Sequence, residues 1–209
     1  MMSACWGWLA PAVSAFANVI TYDRAGLGWS AQRPPPRNIQ TLAGEAYLFL
    51  RALNVTGPIF LLGHSMGALV NRAFFKLFPE QVCGVIWLDP SHPKQLEYNG
   101  EMTRRMKRYF FWLEAAQFLA RKNIPGFELP LLHQIHGLPP ELFKIARHFL
   151  RNPGHLRTSA FEARAWNDSE KLLAGQTFGA LPLLIISAQK NALPGWSNLQ
   201  SELASLSTD

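Results

Sequence analysis

The stretch "LLGHSMGALV", residues 61–70, sets Ser65 between Gly63 and Gly67 at the end of a short apolar run. A Gly-x-Ser-x-Gly becomes a strained turn only when a strand enters it and a helix leaves it, so the flanks decide its meaning. On the amino side, "PIFLLG" (58–63) is apolar and of strand length. On the carboxyl side, "SMGALVNRAFFKLFP" (65–79) puts Leu69, Ala73 and Leu77 on one side of a helix that Pro79 cannot continue. Such a turn lifts the Ser65 hydroxyl above the strand ends. The N–H of Met66, at the helix start, then faces the place where an oxyanion forms, with the positive end of the helix dipole behind it. Gly63 and Gly67 allow strand and helix to approach closely on either side of His64, Ser65 and Met66. The alternative is a small turn residue without chemistry.

Three further apolar runs, "NVITYD" (18–23), "CGVIWLD" (83–89) and "PLLIIS" (182–187), read as strands. Their nearly continuous apolar character is that of a parallel sheet with helices on both faces. Between the first two strands, "TLAGEAYLFLRALN" (41–54) carries Leu42, Tyr47, Leu50 and Leu53 on one helical face. Strand and helix alternate, which defines an α/β, doubly wound layout.

The 209 residues are 48% apolar and 12% aromatic, enough for one substantial core. A net charge of +6 is spread thinly: the densest basic cluster is Arg104-Arg105 with Lys107-Arg108, read as a solvated face rather than a nucleic-acid surface. The two cysteines, Cys5 and Cys83, lack metal-ligand spacing and fit a reducing, cytoplasmic setting. Residues 1–22 carry no charge, yet they contain no basic n-region, Gly7 and Pro11 interrupt them, and they run into "VITYDRAGLG". They read as part of a soluble fold rather than a signal or a span.

With the elbow in this setting, the sequence resembles the α/β-hydrolase family over nearly its whole length. "VITYDRAGLGWS" is similar to the family's fourth strand and its turn, "GHSMG" to the nucleophile elbow, "GVIWLDPSHP" to the sixth strand, and "LPLLIISAQKNALPGWSNLQSELASLS" to the seventh strand and the next helix. The resemblance implies a core of residues 1–92 and 181–209, with a helical cap at 93–180 inserted after the sixth strand. It also implies Ser65 as nucleophile, Met66 N–H as one oxyanion donor, a small-molecule acyl substrate, and no metal or organic cofactor. Relatives that open epoxides place Asp where this chain has Ser65. The third strand, the last strand and the family's His loop have no counterpart here, so an incomplete hydrolase domain is expected.

A serine nucleophile needs a base and an orienting carboxylate. The loop after the seventh strand offers Gln189, Lys190 and Asn191, none of them acidic, whereas Asp89 ends the sixth strand and becomes the candidate acid. Its alternative reading is a turn-forming Asp before Pro90 that caps backbone amides. No histidine matches the family's base: His64 belongs to the elbow, His92 follows Asp89 by three residues, and His133, His136, His148 and His155 lie in the cap. In "EMTRRMKRYFFWLEAAQFLARK" (101–122), Met102, Met106, Tyr109, Leu113 and Ala116 form an apolar stripe that Phe111, Trp112 and Phe118 widen. It is either a helix packed on the core or an acyl pocket lining, with a basic face that makes weak contact with anionic membrane. "GLPPELFKIARHFL" (137–150) and "SAFEARAWNDSEKLLA" (159–174) read as two more cap helices, with Trp112 and Trp166 as candidate pocket walls. A non-catalytic relative that serves as a binding or regulatory protein is the other function class in view.

Overall fold

Helices and strands follow in the order α1 (Leu9–Ser14), α2 (Ile39–Ala52), β1 (Ile59–Ser65), α3 (Gly67–Leu77), β2 (Val82–Pro90), α4 (Gly100–Arg121), α5 (Pro140–Leu150), α6 (Pro153–Arg164), α7 (Ser169–Leu173), β3 (Leu183–Ile186) and α8 (Trp196–Ala204). The computed structural model describes residues 2–190 and 192–209. They form two compact units, one of Met1–Pro36 with Arg108–Arg164, the other of Arg37–Lys107 with Ala165–Asp209. These boundaries differ from the 92/93 and 180/181 divisions expected of a core and its cap. The physical reason lies at the amino end, where Met2 and Ala4 bury themselves among Leu113, Ala116 and Leu156.

In the sheet-bearing unit, β1 pairs parallel with β2 and β2 parallel with β3, in the order β1-β2-β3. The pairings Leu61–Val85–Leu183 and Gly63–Trp87–Ile185 put these residues on one face. That face is the core: Leu61, Val85 and Trp87 cluster with Ile39 and Leu42 of α2, Leu69, Ala73 and Phe74 of α3, and Leu203 of α8. On the opposite face Phe60, Leu184 and Ile186 remain 61%, 53% and 54% exposed. Asn38 starts α2 by accepting the Thr41 N–H at 2.9 Å, an ordinary side-chain cap. Leu53 and Leu77, expected on the buried helical faces, are exposed because both fall at the last turns. Two cations of α3 close the end of α7: Arg72 donates to Leu173 O at 3.1 Å and Lys76 to Leu172 O at 2.8 Å.

Two expected elements take other forms. The run "NVITYD" (18–23) is not a strand; among the described residues no strand forms a ladder with it, and Val19 and Ile20 are exposed. Apolar, β-branched composition permits an extended chain, but only a neighbouring ladder makes it a strand. The third cap helix is also not one rod: α6 ends at Arg164, a 3-10 turn covers Ala165–Asp168, and α7 begins at Ser169.

In the helical unit, Leu113, Ala116 and Ala120 of α4 pack with Ala146, Phe149 and Leu150 of α5 and with Leu156, Ala160 and Ala163 of α6. Met102, Leu113 and Ala116 are buried as their spacing demands. Phe111 and Phe118 do not widen that stripe; they stand 64% and 60% exposed on the helix flank. The loop "DRAGLGWS" (23–30) is fastened by polar bonds rather than by a ladder. Arg24 grips Glu162 through Nε–Oε1 at 3.0 Å and Nη2–Oε2 at 2.6 Å, a bidentate pair. Asp23 accepts the N–H groups of Ser3 and Trp29, and His155 Nδ1 accepts the Gly28 N–H at 3.1 Å. Gly28 is required at φ +50°, since a Cβ there would lie 2.3 Å from the Asp23 carboxylate. No helix among the described residues is long and apolar enough to cross a membrane.

Burial pushes the His155 imidazole from 6.5 down to about 4, against the opposing pull of Glu162 and Asp23. The folded state therefore keeps this ring neutral while the unfolded chain protonates it. Its contribution is fully present above pH 6.5 and fades as pH falls towards 4, a loss of about 3 kcal/mol. Urea unfolding between pH 7 and 4 will show that slope, and His155→Gln will flatten it.

Candidate active site

The site grows from a mismatch between two strand ends. His64 pairs with Leu88, but Ser65 pairs with Pro90, so Asp89 is an extra residue bulged out of β2 beside the end of β1. Both residues at this step hold left-handed backbone, Ser65 at φ +52° and Asp89 at φ +45°. Asp tolerates that region, whereas Ser holds it against a steric cost of about 1–2 kcal/mol. Ser65 thus sits at the sharp turn expected of it, half-buried, between β1 and α3.

The two glycines of the elbow play unequal parts. A Cβ on Gly63 would lie 2.9 Å from the Gly67 carbonyl carbon and 3.0 Å from the Ala68 nitrogen, both backbone atoms that cannot yield. A Cβ on Gly67 would meet nothing within 4 Å, so the expectation that both positions forbid a side chain holds only for Gly63. The crowding lies between the strand and the first turn of α3, and the Gly67 Cβ direction points clear of it. Met66 occupies the N-cap of α3 in helical conformation, and no side chain caps that end. Within this first turn the Leu69 N–H donates to Met66 O at 3.0 Å.

Around the hydroxyl, the partner is a residue that sequence reasoning passed over. Ser65 Oγ lies 3.2 Å from Ser91 Oγ, and the Ser91 N–H donates to Ser65 O at 3.1 Å. The sequence signal was present in "DPSHP": once β1 and β2 pair in parallel, the position after Asp89-Pro90 must fall beside the end of β1.

Asp89 Oδ1 accepts the Ala188 N–H at 3.1 Å and the Trp196 Nε1–H at 2.9 Å. That bonding joins the ends of β2, β3 and α8, as the amide-capping reading describes. His92 is buried; its Nδ1 accepts the Lys94 N–H at 3.1 Å and its Nε2 lies 3.3 Å from Glu202 Oε2. These contacts fix the proton on Nε2, aimed at Glu202. Burial lowers the pKa of His92, with Glu202 opposing. His64 Nδ1 is buried without a partner, and burial likewise favours its neutral form against the Asp89 charge. Among the described residues no histidine hydrogen-bonds Ser65 Oγ. His133 turns to Pro130 O and His148 packs edge-on against Phe149.

Trp166 is a core residue rather than a pocket wall, 5% exposed within the same cluster as Trp87. Trp112 meets Phe111 edge-on at 5.9 Å. A cavity of about 410 Å³ in the helical unit is lined by Trp29, Lys144, Ile145, His148 and Phe149, and one of about 340 Å³ in the sheet unit by Phe75, Lys76, Pro79 and residues 174–177. Neither contains Ser65, Trp112 or Trp166. Gln189 accepts the Ala192 N–H, and Asn191 lies outside the described residues. No cluster of three or more His, Cys, Asp or Glu among the described residues is placed to hold a metal ion.

An elbow of this kind on a parallel sheet is the mark of one large class, and comparison with known proteins agrees. The family model described as "Alpha/beta hydrolase family" matches residues 1–206, and the chain belongs to that family. Among solved structures, an α/β-hydrolase-fold protein from Nostoc sp. PCC 7120 superposes with a TM-score of 0.80 at 17% identity, covering 99% of this chain and 75% of that one. The epoxide hydrolase CorEH gives 0.74 at 17% identity over 95% of this chain and 76% of its own. A thermophilic esterase from Thermogutta terrifontis gives 0.60 at 18% identity over 99% and 86%. Among curated proteins, YqjL of Bacillus subtilis is 29% identical over 89 residues, 43% of this chain and 35% of YqjL. An AB hydrolase superfamily protein of Gibberella zeae is 31% identical over 80 residues, and the match spans 25% of its length. The chain thus spans well under half the length of the curated relatives it matches.

The unequal glycines give a direct check by chemical denaturation. Gly63→Ala will destabilise the protein by about 1–3 kcal/mol through overpacking against backbone, whereas Gly67→Ala will change stability by less than about 1 kcal/mol.

Proposed function

We propose that this protein is a serine hydrolase that cleaves an ester or related acyl bond of a small to medium apolar substrate through an acyl-enzyme at Ser65. The observation that carries this reading is the left-handed Ser65 at the strand-to-helix turn, ahead of an α3 amino end without a capping side chain. Ser65 Oγ attacks the acyl carbon, the bond to the leaving group breaks as that group takes up the proton lost by Ser65, and water then attacks the Ser65 ester, releasing the acid and returning one proton to Ser65 Oγ. In each half-reaction the tetrahedral oxygen takes its stabilisation from the Met66 N–H and the dipole of α3. Asp89 sits one residue from the Ser65 pairing position and is the carboxylate of this rim. Structural relatives include an esterase and an epoxide hydrolase, a fold-level likeness compatible with either chemistry. A hydroxyl rather than a carboxylate at position 65 favours acyl transfer.

A second reading, a non-catalytic binding or regulatory relative, draws on one observation. Ser65 Oγ is bonded to Ser91 rather than to a histidine, and Asp89 Oδ1 is occupied by Ala188 and Trp196.

Two measurements separate the readings. On the enzymatic reading a fluorophosphonate probe labels Ser65, and turnover of p-nitrophenyl acetate falls at least ~100-fold in Ser65→Ala. A folded protein that takes no label and shows no Ser65-dependent turnover belongs to the second.

A further inference from the structure

We infer that Ser91 is a positioning residue for Ser65: its buried hydroxyl fixes the direction of the nucleophilic Oγ. This rests on the reading of Ser65 as a nucleophile. Ser91 is 2% exposed, and its Oγ lies 3.2 Å from Ser65 Oγ. The Ser91 hydroxyl is shielded from bulk water, and its hydrogen-bond partner is the half-buried Ser65 hydroxyl. The placement is built rather than incidental. The Asp89 bulge shifts the register so that Ser65 faces Pro90, and the next residue, Ser91, folds back to donate its N–H to Ser65 O at 3.1 Å.

That main-chain bond already ties the two strand ends together, so the side-chain bond is not required for the pairing. What it adds is torsional. A serine side chain has three staggered wells about χ1, and only one of them sets Oγ against Ser91. Holding one well ready for attack matters because small misplacement of a reacting atom lowers rates steeply. Ser91 need neither touch substrate nor take the proton to do this.

The experiment measures the second-order rate of fluorophosphonate labelling at Ser65, located by mass spectrometry, across pH 6–9. Ser91→Ala is expected to slow labelling about tenfold with a melting temperature close to wild type. The isosteric pair Ser91→Thr and Ser91→Val isolates the hydroxyl from volume: Thr should label several-fold faster than Val at every pH. Equal rates for Thr and Val, or an unchanged rate in Ser91→Ala while wild type labels, would overturn the role of Ser91 and leave the nucleophile standing. Absence of label in folded wild type would overturn both.

Discussion

The register between the first two strands is the constraint on which the rest of this molecule depends. Five consecutive positions, Phe60 to His64 against Gly84 to Leu88, align side by side; Cys83 is skipped before them, and Asp89 is squeezed out of the ladder after them. The alignment puts Trp87 and Val85 beside Gly63 and Leu61, so that one face of the sheet is a continuous apolar surface for α2, α3 and α8. The displacement sends Asp89 towards Ala188 and Trp196 and brings Ser91 back onto Ser65. One extra residue therefore joins the sheet's rim, the helix α8 and the Ser65 hydroxyl into a single arrangement.

Much of this was legible in the sequence because it depends on local composition. The three paired strands lie within a residue or two of the apolar runs, and the elbow serine falls where a strand gives way to a helix. Other features depend on neighbours that a single segment does not name. Residues 18–23 have the composition of a strand but lack a ladder, and Phe111 and Phe118 complete a helical stripe on paper that the actual packing leaves out. Gly67 looked as constrained as Gly63 because the motif treats them alike; only the direction of each Cβ distinguishes them.

The polar side chains around the elbow were the least legible part. Asp89 reads as an acid or as a turn former with equal ease in sequence, and its bonds to a backbone amide and an indole come from residues about a hundred positions away. His92 stands close to Asp89 in the chain yet is committed to Glu202 of α8. Ser91 lies in the proline-flanked run "DPSHP" and matches no motif. Its meaning appears only when the parallel pairing carries it across to the neighbouring strand.

The left-handed Ser65 stores backbone strain of about 1–2 kcal/mol at this rim, beside an Asp89 that tolerates the same region. The Ser65 conformation is held by its place in the paired strands and by the Ser91 N–H on its carbonyl, and those strands pack through Leu61, Val85 and Trp87 into the core with Phe74. The shape of the rim thus depends on interior fit, and a cavity opened beneath Trp87 or Phe74 would be felt at this corner as well as in the core.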